Sequence, residues 1–158
     1  MTTSNIDQFN EITGRVFAHL YQAFPIPTDL RPTVVGIEEA SPGDYDPVTG
    51  TSIGQEPRTH EEQLFAHSVE WLCRTGYLTA ERYAMSDHFT KAVLTAKGLE
   101  VLNAVPGSLK QKSSIGEQLT EASKSGGKEL LRSITTEALG IGVRLLMKGS
   151  GLDVTPAA

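Results

Sequence analysis

Six of the eight prolines, Pro25, Pro27, Pro32, Pro42, Pro47 and Pro57, fall in one stretch of the chain, together with Gly36, Gly43, Gly50 and Gly54. Proline lacks a backbone donor and fixes φ, so residues 25–58 exclude a helix or a central strand. The remaining segments of the 158-residue chain therefore have to supply the core. At this length folding buries roughly 68 to 70% of the surface that the unfolded chain exposes, which suffices without staples. The 39% hydrophobic and 21% charged contents exclude a disordered or fibrous chain. Cys73 is the single cysteine, which excludes an intramolecular disulfide and leaves a reducing, cytoplasmic compartment as the simpler expectation. The N-terminal run Met1-Thr2-Thr3-Ser4-Asn5-Ile6-Asp7-Gln8 lacks the basic flank and apolar run of a secretory signal.

Before the breaker stretch, Phe9, Ile12, Val16, Leu20 and Phe24 recur at spacings of three and four. This predicts a helix over 5–24, capped by Ser4 and stopped by Pro25. After the stretch, Thr59-His60-Glu61-Glu62 has the capping-box pattern, and Leu64, Phe65, Val69 and Leu72 give a helix over 60–75 with Trp71 and Cys73 on its flank. Gly76 is placed to end it in a left-handed conformation. Two β-type segments, 77–83 and 89–94, then read as a hairpin with a five-residue tip. Thr95 caps a short helix over 96–105, ahead of Pro106-Gly107.

The run Trp71-Leu72-Cys73-Arg74-Thr75-Gly76-Tyr77-Leu78, the hairpin, and Val93-Leu94-Thr95-Ala96-Lys97-Gly98-Leu99-Glu100-Val101-Leu102 resemble the second half of a winged helix-turn-helix domain. The resemblance covers residues 59–105 closely and 5–24 loosely. It implies a mainly helical, α+β fold: a winged-helix-like body over 1–106 with a two-stranded wing, followed by a helical extension over 107–158. Where such a domain has its second helix, this chain has the breaker stretch. Either a short helical turn lies within it, or it is a binding loop.

In DNA-binding members of that superfamily the helix matching 60–75 enters the major groove. The resemblance then assigns DNA contacts to Gln63, His67 and Arg74 on the helix and to Arg82, His88 and Lys91 on the wing; separately, Lys110 and Lys112 in the basic C-terminal part are candidates for phosphate contacts. Against this, Glu61, Glu62 and Glu70 on the same helix repel phosphate, and a Glu70–Arg74 pair at spacing four describes an ordinary solvated face. The net charge of −5 is also unevenly spread. Residues 1–58 carry three basic and eight acidic side chains, whereas residues 105–158 carry seven basic and five acidic.

Other chemistries fail on spacing. In Asp44-Tyr45-Asp46-Pro47-Val48-Thr49-Gly50 a calcium loop needs an oxygen ligand at Val48 and glycine at Thr49, so the composition reads as turn chemistry. His60-Glu61 begins like a zinc-protease helix, but Leu64 stands where the second histidine belongs. Neither a nucleophile elbow nor a phosphate-cradling glycine loop is present. The expectation is no catalytic residue, no metal and no cofactor.

In the extension, Ser114-Ile115-Gly116-Glu117 repeats the capping-box pattern, Ser125-Gly126-Gly127 breaks that helix, and residues 128–148 form an amphipathic helix of about 30 Å. Its apolar residues Leu130, Leu131, Ile134, Ala138, Ile141 and Leu145 are expected either to pack back on the body or to form an interface. Gly140 and Gly142 suggest close approach of another helix. Interspersed charges argue against a membrane span. The leading expectation is a non-enzymatic interaction module that docks on a protein partner or a second copy. The alternatives are a regulator binding double-stranded DNA and a small immunity or accessory protein. No small-molecule substrate is evident.

Overall fold

Helix α1, Asn5–Ala23, is capped by the Ser4 hydroxyl, which accepts the Asp7 amide, and it buries Ile12, Thr13, Gly14, Val16, Phe17, Ala18 and Leu20. So wide a buried arc requires neighbours on several sides. In the computed structural model, which describes residues 3–84, 86–104 and 113–149, α1 is packed by every other α-helix of the described residues. The breaker stretch contains three short strands, β1 (Thr28–Leu30), β2 (Asp44–Asp46) and β3 (Thr51–Ile53), and a 3-10 turn at Pro32–Val35. Then come α2 (His60–Arg74), β4 (Leu78–Arg82), β5 (Phe89–Leu94), α3 (Ala96–Asn103), α4 (Ile115–Ser125) and α5 (Lys128–Gly149). The fold is mixed α+β.

The sheet order is β1-β5-β4, all antiparallel, and β2–β3 is a separate hairpin. β1 is therefore an edge strand, where neighbouring prolines are tolerated. The register of β5 slips by one residue against both β1 and β4. Lys91, at φ 55°, lies at that slip, which is the geometry of a bulge. Thr95 closes the sheet onto α3, its hydroxyl accepting the Gly98 amide at 3.1 Å and donating to the Tyr77 carbonyl.

The helices of the extension are part of the body. Ile115, Leu119, Ala122, Leu131, Ile134 and Ala138 join one core cluster with Val16, Phe17, Phe65, Leu72 and Leu102, so the boundary expected near residue 106 does not divide the core. A correction to the expected interface follows. Leu131, Ile134 and Ala138 are buried in the chain's own core, Ile141 and Leu145 are partly buried against it, and Leu130 is 54% exposed. The side of α5 that carries Leu131, Ile134 and Ala138 is covered by α1, α3 and α4, whereas Val143, Leu146 and Met147 in its last turns are exposed. Close approach of α1 to α5 and α4 depends on Gly14: a Cβ there would lie 2.5 Å from Thr135 Oγ1 and 3.3 Å from Leu131 Cδ2. Gly142 meets a side chain and not another helix, since a Cβ there would lie 2.7 Å from the Tyr77 ring, whereas Gly140 has open space.

Candidate functional site

The capping box expected at Thr59 is present, and it does more than cap. Thr59 Oγ1 accepts the Glu62 amide at 3.1 Å, and Glu62 Oε2 accepts the Thr59 amide at 2.6 Å. The other oxygen, Oε1, accepts the Ala40 amide at 2.7 Å. Burial pushes the Glu62 carboxyl up, but the amides of Thr59 and Ala40, the Thr59 hydroxyl and the Arg58 charge outweigh it, so its pKa lies below the ordinary value. One carboxylate thus starts α2 and holds the breaker stretch against it. Beyond Ala40 the β2–β3 hairpin projects with Tyr45, Val48 and Ile53 exposed. Its turn is closed by Asp46, which accepts the Thr49 hydroxyl at 2.7 Å and the Val48 amide at 2.9 Å. Those two bonds lower the Asp46 pKa, the hydroxyl most.

The outward face of α2 exposes Gln63, His67, Trp71 and Arg74. Beside it, the first turns of α1 contribute Ile6, 68% exposed, and Phe9. Ile6, Phe9, Leu64, His67, Ser68, Trp71 and Arg74 line a shallow apolar groove of about 430 Å³ between α1 and α2. Trp71 is 38% exposed. Its ring meets Phe9 edge-on at 5.3 Å between centroids and stacks on Tyr77 at 6.3 Å, and Tyr77 in turn packs on Phe17 at 5.7 Å. Lys97 Nζ lies 4.2 Å from the Tyr77 ring centre and donates to the Thr75 carbonyl at 2.8 Å. The groove's aromatic rings, Phe9 and Trp71, are therefore tied into the core through Tyr77 and Phe17. Burial also raises the pKa of the Tyr77 hydroxyl.

Most of the side chains expected to contact DNA have partners within the chain. Arg82 pairs through Nη1 with Glu70, donates from Nε to the Ser86 carbonyl at 2.8 Å, and has Asp87 at 3.5 Å. Arg58 forms a two-point pair with the same Asp87. Lys91 meets Glu81 at 3.1 Å, His88 meets Asp29 at 3.2 Å, and His67 meets Glu70 at 3.2 Å. Gln63 donates to the Arg58 carbonyl at 3.4 Å. The expected Glu70–Arg74 pair gives way to Glu70 with Arg82 and His67, and Arg74 is left exposed with no acidic partner among the described residues. Lys110 and Lys112 lie outside the described residues.

Two further features bear on chemistry. The Cys73 thiol is half-buried; burial pushes its pKa up and the Glu70 carboxylate adds to that, which disfavours the nucleophilic thiolate. Among the described residues no group of three or more His, Cys, Asp or Glu side chains is arranged to hold a metal ion, and no helix is long and apolar enough to cross a membrane. The groove escapes a reading of the sequence although a signal is there: Trp71 is a large apolar residue on the flank of its helix's apolar stripe, and Ile6 carries the α1 stripe one turn beyond Phe9. Comparison with family models, curated proteins and solved structures returns no match for this chain.

Proposed function

We propose that the chain is a non-enzymatic, winged-helix-like interaction module of the cytoplasm that docks on a protein partner through the α1–α2 face. The element order α1-β1-turn-α2-β4-β5-α3 and the sheet order β1-β5-β4 suit the winged-helix reading, with the 3-10 turn in the place of the missing second helix. The observation that carries the docking role is the character of α2's outward face. A helix that reads a major groove presents uncommitted donors and cations. This one presents Trp71 and Leu64 beside Ile6 and Phe9, with Arg74 as its one uncommitted arginine among the described residues, while the wing side chains Arg82, His88 and Lys91 each face a carboxylate. Exposed aromatics in such a setting suit protein recognition.

The competing regulator reading is tested by electrophoretic mobility of random double-stranded DNA fragments at low and moderate salt. The module reading expects no shift at low salt with micromolar protein. A salt-sensitive shift that disappears in Arg82→Ala and Lys91→Ala would overturn it.

A further inference from the structure

We infer that the α1–α2 groove receives an amphipathic helix of a protein partner, one that presents apolar side chains along one face and a carboxylate toward Arg74. The inference rests on the docking role proposed above and names the partner's chemistry.

The shape comes from the lining. Leu64, His67, Ser68, Trp71 and Arg74 follow one another at helical spacing along α2, and Ile6 and Phe9 form the opposite wall on α1. From Leu64 to Arg74 the trough runs about 15 Å at 1.5 Å per residue, which accommodates roughly three turns of a second helix. Among the described residues no strand lines it, so an extended peptide finds no backbone ladder to join, and recognition falls to side chains inserted between two helices. The apolar floor asks for apolar residues three and four apart on the incoming helix.

The charge comes from the rim. Among the described residues no carboxylate lines the groove, and its fully charged side chain, Arg74, is exposed and has no acidic partner there. Glu70, the nearest acid on α2, is engaged by Arg82 and His67. An otherwise acidic chain thus keeps an arginine, unpaired among the described residues, at the rim of an apolar groove.

The test uses the full chain, in which Trp71 is the only tryptophan and reports the groove directly. Two synthetic amphipathic helical peptides share the same leucine spacing; one carries glutamate on its flanks and the other lysine. The glutamate peptide is expected to shift Trp71 emission to the blue, saturably, and to bind about fivefold more tightly than the lysine peptide, the scale of one exposed ion pair. Arg74→Glu should invert that preference and Ile6→Glu should abolish binding of both. Each alters an exposed side chain, and an unchanged circular dichroism spectrum shows that the fold is retained. Equal or tighter binding of the lysine peptide overturns the charge assignment and leaves the module reading standing. Absence of any Trp71 response at millimolar peptide overturns the inference. A dimer mass by light scattering with a concentration-dependent Trp71 spectrum also overturns it, by placing a second copy in the groove. Quenching of Trp71 by DNA in low salt overturns both readings together.

Discussion

Helix α1 and the β2–β3 hairpin lie at opposite extremes of the same molecule. α1 is packed by α2, α3, α4 and α5, by β1 and β5 and by the 3-10 turn, whereas the hairpin's strands pack substantially only on each other. One is fixed by apolar surface on almost every side and the other by a few polar bonds at its base. The contrast teaches what each region responds to. Apolar contacts fail when volume is removed, and polar latches fail when a charge or an acceptor is removed.

The largest expected effect therefore belongs to the α1 surroundings. Leu131→Ala opens a hole beside Gly14 and Ile134 in a fully buried layer and should cost about 2–5 kcal/mol, read as a lower urea midpoint. A loss below about 1 kcal/mol would show that α5 is not integral to the core and would restore its apolar face as a candidate interface. The second effect is at the hairpin's anchor. Glu62→Ala leaves the Thr59 and Ala40 amides without their acceptor and should cost about 1–3 kcal/mol. Because the folded-state carboxyl sits below its ordinary value, the unfolded chain takes up the proton first as pH falls. The Glu62 contribution is complete above the ordinary glutamate range and is lost as pH drops through the lower folded value. Acid unfolding of the native chain should thus show a component that Glu62→Gln lacks; parallel curves for the two proteins would refute the latch. The smallest effect tests whether the body is free of backbone strain. Lys91 at φ 55° holds an unfavourable left-handed conformation in the bulge, so Lys91→Gly should stabilise by up to about 1 kcal/mol. The exposed pair with Glu81 that is lost counts for little. An unchanged or lower melting temperature would show that the bulge fits lysine.

What is legible in the sequence divides along the same line. α1, α2 and the β4–β5 hairpin are local objects: a periodic stripe, a hydroxyl cap three residues before an acid, a glycine at a turn. Ser4, Thr59 and Ser114 behave as their spacing predicts. β1 is invisible there because three residues carry no period, and the strand exists only through its pairing with β5, about sixty residues away. The burial of Leu131, Ile134 and Ala138 is half-legible. An amphipathic stripe states that a face is covered, but not whether the cover is α1 or a second molecule. The long-range polar pairs escape for a similar reason. Arg82 with Glu70 and His88 with Asp29 are separated by twelve and fifty-nine positions, and a charge tally along the chain has no access to such pairs.

The base of the hairpin has one more consequence. Ser41 donates its amide to Glu56 at 3.1 Å, the Glu56 amide returns to the Ser41 carbonyl at 3.1 Å, and Ala40 is held by Glu62. The outgoing and returning strands of chain are thereby brought side by side before the projecting part begins. Everything from Pro42 to Gln55 is in effect an insert between two adjacent posts. Doubling the length of such a closed loop costs only about 0.6 kcal/mol of chain entropy. The molecule can therefore exchange, shorten or lengthen this appendage while α1, α2 and the groove between them keep their geometry. Within the 25–58 stretch that most restricts the fold, residues 42–55 are thus the part most open to replacement, while β1 and the 3-10 turn hold Leu30 and Val35 in the core.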